Sequence, residues 1–152
     1  MELKKRRFIK IFGLSVLSII VPINYLFASA KKIINSKLSD QQKNIMFNQG
    51  TERPFSSELL NEKRKGFYHC ANCGNKLFAS NSKFDSGTGW PSFSEALPGA
   101  FKTKTDYSFG MERVEYHCAK CGAHHGHVFN DGPRESGKRF CSNGLCLIFK
   151  PE

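Results

Sequence analysis

The sequence is short of acidic residues, of tryptophan and of long apolar runs, and each shortage excludes something. Thirteen Asp and Glu stand against 23 Lys and Arg, a formal net charge of +10 over 152 residues. Such a balance points first to nucleic acid or an anionic surface. The cations are unevenly spread, however. Lys4, Lys5, Arg6, Arg7 and Lys10 against Glu2 give residues 1–30 a net of +4, which leaves +6 for residues 31–152. Nowhere do they form a concentrated stripe interleaved with aromatics, so no nucleic-acid partner is expected. The main apolar stretch, Ile11 to Phe27, is short for a membrane span and is interrupted by Pro22 and Asn24. The length suits one ordinary domain and not two. A hydrophobic content of 39%, with 14 Phe, is enough to bury a core.

The basic Lys4 to Arg7, the apolar stretch and the small-x-small Ala28-Ser29-Ala30 together read as an export signal over residues 1–30. An uncleaved membrane anchor is the alternative. Lys5-Arg6 followed by Phe8-Ile9-Lys10 resembles a twin-arginine signal with Lys in the first basic position. That route carries folded proteins, so a metal site could be filled before its thiols met an oxidising compartment. The expected location is the bacterial periplasm. Polar residues 31–37 read as a linker, and residues 38–152 as the domain.

Within the domain, Ser39-Asp40-Gln41-Gln42 is a capping-box pattern that predicts a short helix ending near Gly50. A second short helix is predicted over Ser56 to Lys65, closed by Gly66. Thereafter helical signals fade. From Phe101 through Thr103, Thr105, Tyr107, Phe109 and Met111 the larger or β-branched residues fall at every second position, the period of a half-buried strand or hairpin. Leu145 to Phe149 reads as a buried strand. The expected fold is mostly β and antiparallel, with short N-terminal helices.

One heptapeptide occurs twice. Tyr68-His69-Cys70-Ala71-Asn72-Cys73-Gly74 and Tyr116-His117-Cys118-Ala119-Lys120-Cys121-Gly122 agree at all positions but one. The two C-x-x-C pairs supply four thiolates, enough for a closed tetrahedral zinc site. Two disulfides are the alternative in an exported protein, but C-x-x-C followed by Gly suits a metal better than a small strained loop. A closed four-Cys site leaves no open position for substrate, so its predicted role is structural.

Two thiols remain, Cys141 and Cys146. On a strand, Arg139, Cys141 and Asn143 share a face, where Arg139 would favour the thiolate; an inert core cysteine is the plainer reading. Three of the five His lie in His124-His125-Gly126-His127. They suit either a second metal site, for which Asp131 is the only nearby carboxylate, or the acid partner of a cysteine nucleophile. Residue types and spacing leave these two readings level. Trp90, the only tryptophan, reads as core filler or as an aromatic wall for an apolar ligand group.

Several segments taken in order resemble the B-type methionine sulfoxide reductases, which act on the R epimer at sulfur. They are Gly50 to Phe55, Lys83 to Phe93, His124 to Phe129, Asp131-Gly132-Pro133 and Arg139 to Asn143, and both C-x-x-C pairs fall where zinc-containing members have them. The resemblance spans about residues 38–150. It implies two small antiparallel sheets and one structural zinc held by Cys70, Cys73, Cys118 and Cys121. It implies Cys141 as the nucleophile, with His124 and His127 binding and protonating the sulfoxide oxygen. Asp131, Arg139 and Asn143 fall in supporting positions, and Trp90 matches the residue packed on the substrate's S-methyl group. Arg139 and an imidazolium are then expected to lower the Cys141 pKa.

One departure bears on turnover. Many members carry a second, resolving cysteine where this chain has Thr88. Cys146 lies five residues from Cys141, roughly 16 Å along a regular strand and on its opposite face, too far for a disulfide. A core role for Cys146 and regeneration by an external, thioredoxin-like or other thiol reductant are therefore expected. The implied partners are oxidised proteins and that reductant, and the expected state is a monomer. A zinc-ribbon binding module without catalysis is the competing reading, but it leaves Cys141 and the Trp90 loop unexplained. A disulfide isomerase lacks its paired redox motif near Cys141.

Overall fold

The computed structural model describes residues 31–152; the expected export signal, residues 1–30, lies outside the described residues. Ser39 caps helix α1 (Asp40–Asn48) with the predicted reciprocal box: its hydroxyl accepts from Gln42 N while Gln42 Oε1 accepts from Ser39 N. Gln42 Nε2 also donates to Leu145 O at 2.9 Å, tying the helix to the turn before the last strand. Ile45 and Met46 are the residues the helix buries. Left-handed Gln49 ends it, one position earlier than the predicted Gly50.

The second predicted helix contracts to a single 3-10 turn, Glu58–Asn61, capped by Ser57. Leu59 and Leu60 are the only large apolar residues in that stretch, and Glu62 to Lys65 offer nothing to bury. A short helix without an apolar face has no tertiary packing to offset its nucleation cost.

Nine strands follow: β1 (Gly66–Cys70), β2 (Lys76–Ala79), β3 (Lys83–Phe84), β4 (Ser92–Phe93), β5 (Phe101–Asp106), β6 (Arg113–Cys118), β7 (His124–Phe129), β8 (Arg139–Ser142) and β9 (Leu147–Pro151). They form two sheets, of order β2-β1-β9 and β3-β4-β8-β7-β6-β5, with every pairing antiparallel. The fold is the expected mostly β one. Tyr68 and Phe78 of the small sheet meet Phe93, Phe101, Tyr116 and Phe140 of the large one. Phe78 and Phe93 stack at 4.0 Å between centroids, so much of the phenylalanine content goes into joining the sheets.

Two strand expectations change in extent. The alternation from residue 101 to 111 crosses a turn: β5 stops at Asp106, and Phe109, with φ 60°, is 87% exposed. As a sheet edge, β5 also leaves Thr103 and Thr105 exposed rather than half-buried. Residues 144–146 form a 3-10 turn, so the last strand begins at Leu147 and lies at the edge of the small sheet. Residues 31–37 carry no helix or strand, yet they are hydrogen-bonded to both C-x-x-C loops. Asn72 Oδ1 accepts from Ile34 N, Asn35 Nδ2 donates to Ala71 O, and Lys32 N donates to Cys121 O.

Candidate active site and metal cluster

The repeated heptapeptide is one local structure used twice. In each copy the strand ladder slips by one residue between the Tyr and the His. The first Cys then accepts at its carbonyl from the closing Gly N, as in Gly74 N to Cys70 O and Gly122 N to Cys118 O, both at 2.8 Å. Gly74 and Gly122 have φ of 71° and 72°, left-handed values that favour glycine. The two loops bring Cys70, Cys73, Cys118 and Cys121 together with all four Sγ atoms within 4.8 Å of one another. The Cys70–Cys121 and Cys73–Cys118 sulfurs lie 3.7 and 3.6 Å apart. That is far beyond a disulfide bond, and close to the roughly 3.8 Å edge of a tetrahedron with 2.3 Å zinc–sulfur bonds. Burial, with Cys118 and Cys121 nearby, pushes Cys73 up to about 12, so a Cys73 thiolate is favoured only beside a cation. The donor set fits a metal ion.

The slip beside His117 also shapes the second site. Tyr116 pairs with Gly126 and His117 with His124, so His125 is an extra residue in β7. Positions three apart on a regular strand face opposite ways; one inserted residue returns them to one side. The His124 and His127 rings accordingly meet at 5.5 Å. Each has its own carboxylate. His124 Nδ1 donates to Glu115 at 2.9 Å, and His127 Nε2 donates to Asp106 at 2.8 Å.

Beside His127 lies Cys141. It is the cross-strand partner of His127 on β7 and of Ser92 on β4. The two chains touch here: a Cβ on Gly126 would sit 1.9 Å from Cys141 O, so only glycine fits. A pocket of about 140 Å³ opens at this point, with Trp90, Phe129, His127, Cys141 and Asn143 in its wall. Its size suits the end of a side chain rather than a whole ligand. The Trp90 indole is fixed by Nε1 donating to Glu52 O at 3.1 Å. Glu52, 2% exposed, accepts from Gly144 N and Leu145 N and donates its own N–H to Asn143 Oδ1. It therefore joins the loop that holds Trp90 to the turn after β8.

Arg139 forms a bidentate pair with Asp131, both contacts 2.8 Å, and lies over the Phe129 ring at 4.4 Å. From there it reaches Cys141, as does the hydroxyl of Thr88. Burial nevertheless outweighs both and raises the Cys141 thiol above its ordinary value. This reverses the expected lowering. Burial likewise lowers His127 despite the Asp106 hydrogen bond. In the resting protein the neutral thiol and neutral imidazole are thus the favoured pair.

The sequence-predicted residues divide into two groups. Cys141, His127, Trp90 and Asn143 meet at the pocket, although Asn143 engages both amide atoms with the backbone of Glu52 and His125. His124 packs against His127, 1% exposed, and Asp131 pairs with Arg139 from an exposed position. Cys146 is fully buried in the core with its thiol pushed well up by burial. Sequence reasoning missed Glu52, Asp106, Arg113 and Glu115. The Asp106-Tyr107-Ser108 turn with Gly110 following was a readable hairpin end, and it would have placed Asp106 opposite Arg113. Glu52 stood inside the Gly50 to Phe55 motif without a role attached, and nothing local pointed to Glu115.

A family model described as the SelR domain matches residues 38–151. The chain is 49% identical to a peptide methionine sulfoxide reductase MsrB of Methanosarcina barkeri over 116 residues, 76% of this chain and 82% of that protein. It is 47% identical over 116 residues to the protein of the same name from Agrobacterium fabrum, covering 76% and 86% of the two chains. Against that of Thiobacillus denitrificans it is 49% identical over 118 residues, 77% and 89% of the two.

Proposed function

The chain belongs to the SelR-domain family of B-type peptide methionine sulfoxide reductases, and from that premise we propose how its own residues reduce the sulfoxide. The substrate is methionine R-sulfoxide in oxidised proteins. Its S-methyl group packs on Trp90, and its sulfur is presented to Cys141 Sγ. One observation carries this reading: the thiol and the His127 ring are direct cross-strand partners on the wall of a pocket sized for a side-chain tip.

The proton of Cys141 passes to His127, giving the thiolate and imidazolium that burial disfavours at rest. Arg139 and the Thr88 hydroxyl hold the thiolate. Sγ attacks the sulfoxide sulfur while the imidazolium protonates its oxygen, and general acid help of this kind typically contributes about 10²–10⁴-fold. The protonated oxygen then passes from the substrate sulfur to Sγ, so that the sulfur–oxygen bond and the newly formed Sγ–S bond both break and an Sγ–O bond forms. Methionine leaves reduced by two electrons, and Cys141 is left as a sulfenic acid carrying the oxygen. An external dithiol restores Cys141, releasing water and becoming a disulfide. Thr88 supplies no resolving thiol, and buried Cys146 is left to the core. His124, bonded to Glu115, packs beside the His127 ring, and Asp131 holds Arg139.

Cys70, Cys73, Cys118 and Cys121 hold one structural zinc that clamps the two repeated loops together. The first 30 residues are read as an export signal, so the protein acts as a monomer outside the cytoplasm, where it meets its reductant. The decisive experiment supplies each purified sulfoxide epimer with a small dithiol. Reduction of the R epimer alone is expected, and Cys141→Ser is expected to abolish it with zinc content unchanged. Activity retained in that variant defeats the mechanism. Exclusive reduction of the S epimer defeats the substrate assignment.

A further inference from the structure

Asp106 stands outside the pocket wall, yet it bonds to two residues on it. Its Oδ2 accepts from His127 Nε2 at 2.8 Å and from Arg113 Nη2 at 2.7 Å. It is itself fixed by the hairpin. Asp106 ends β5, Arg113 begins β6 as its cross-strand partner, and Ser108 donates both its N–H and its hydroxyl to Oδ1. These donors fix the carboxylate before any ligand arrives. They also hold it ionised: the Ser108 hydrogen bonds first, then His127 and Arg113, keep it far below the usual carboxylate range.

We propose that Asp106 is the positioning residue of the reaction: by holding the proton on His127 Nε2 it leaves Nδ1 to take the Cys141 proton and hand it to the sulfoxide oxygen. The proposal rests on the enzyme mechanism above and specifies how its histidine works. A neutral imidazole has one donor and one acceptor nitrogen, and the bond to one settles the other. An ionised carboxylate can only accept, so Nε2 is the protonated atom. Among the described residues Nδ1 has no protein hydrogen-bond partner. After the proton transfer both ring nitrogens carry hydrogen, and the Asp106 carboxylate stabilises the resulting positive charge. When the sulfoxide oxygen takes the Nδ1 proton, the ring returns to its starting tautomer. No net proton is left on His127.

The other charges around the ring do not replace Asp106. Glu115 is the cross-strand partner of His127, but its oxygens accept from His124, Lys104 and Gln49. Arg113 and the neighbouring His124 oppose a positive His127. Cys141, the cross-strand partner of His127 on β8, is the proton's source. Among these groups, only Asp106 both touches the ring and favours its charged form.

The test combines a spectroscopic readout with kinetics on the metal-loaded full chain. Nitrogen-15 spectra of wild-type His127 above its pKa are expected to show Nε2 protonated and Nδ1 bare. Asp106→Ala is expected to lower kcat about 10- to 100-fold, by analogy with the cost of losing the partner that orients a metal-bound histidine, with KM changed less than about twofold; Asp106→Glu should recover most of the loss. If Ala loosens the hairpin, Asp106→Asn retains an oxygen for Ser108 while presenting an uncharged amide group to Arg113 and His127, and a similar kcat loss is expected. A wild-type ring protonated on Nδ1, or kcat unchanged in folded Asp106→Ala or Asp106→Asn, overturns the proposal. Either result leaves the reductase assignment standing if wild-type enzyme reduces the R epimer. Absence of that activity fails the assignment itself, whatever the tautomer.

Discussion

Glu115 offers a measurable link between stability and the site. Its side chain is 1% exposed and accepts from His124 Nδ1 at 2.9 Å, from Lys104 Nζ at 2.9 Å and from Gln49 Nε2 at 2.6 Å. Burial alone would push its pKa up; the His124 and Lys104 contacts more than reverse that and hold it at about 2, against an ordinary 4.5. Because the folded value is the lower, the stabilisation is complete above the unfolded value and fades as pH falls toward 2. A difference of that size corresponds to about 3 kcal/mol at pH 7, falling to about 1 kcal/mol at pH 3. Glu115→Gln keeps the shape and removes the charge. It is expected to be about 3 kcal/mol less stable than wild type in urea at pH 7, which for a domain of this size lowers Tm by roughly 10 °C. The gap should narrow by more than half at pH 3. Acid also strips metal from the thiolates, but it does so in both proteins, so their difference isolates the carboxylate. Equal stability at pH 7, or a gap unchanged between pH 7 and pH 3, would refute the reasoning.

Two further outcomes follow from the placement of the cysteines. Thr88 reaches Cys141, so Thr88→Cys is expected to form a bridge to Cys141 after one turnover with sulfoxide; mass analysis showing only free sulfenic acid at Cys141 would contradict that placement. Metal removal by a chelator should destabilise the whole domain rather than the two loops alone, because Cys70 lies at the end of β1 and Cys118 at the end of β6, one in each sheet. Amide exchange that accelerates only within residues 70–74 and 118–122 would show the metal to be a local clip.

What could be read in advance depended on whether the determining contacts were local. The capping box at Ser39 needs four residues and was legible to the atom. The two heptapeptides announced both the thiol cluster and its repeated geometry, because a C-x-x-C turn is fixed by its own backbone. Recognition of the ordered motifs supplied Cys141 and Trp90, which spacing alone left undecided. The histidine arrangement was different. That His124 and His127 share a side depends on an extra residue in β7, and the extra residue is visible only against the register of β6. The same dependence hid the carboxylates: Glu115 is nine positions from His124, Asp106 is 21 from His127, and Glu52 N reaches Asn143 across 91. The two histidine pairs are outcomes of strand pairing and the third of a loop packed on the turn after β8, so no window of sequence contains their cause.

The reversed expectation at Cys141 has its own consequence. The family resemblance put Arg139 and an imidazolium beside the thiol and so implied a lowered pKa. Burial of the thiol outweighs Arg139 and Thr88, because a sulfur drawn out of water loses more hydration than those two groups return. Oxidants attack thiolates, so a resting thiol is protected from the irreversible rungs of cysteine oxidation, and in the proposed mechanism nucleophilicity is switched on by proton transfer to His127. The expected signature is an iodoacetamide reaction at Cys141 whose rate climbs continuously with pH through 9, the ordinary value from which the thiol is raised. Arg139→Gln should move the curve to still higher pH, since it removes the largest opposing influence. A rate that levels off below pH 8 would mean that the thiolate is already formed in the free enzyme, and that Arg139, rather than burial, decides its charge.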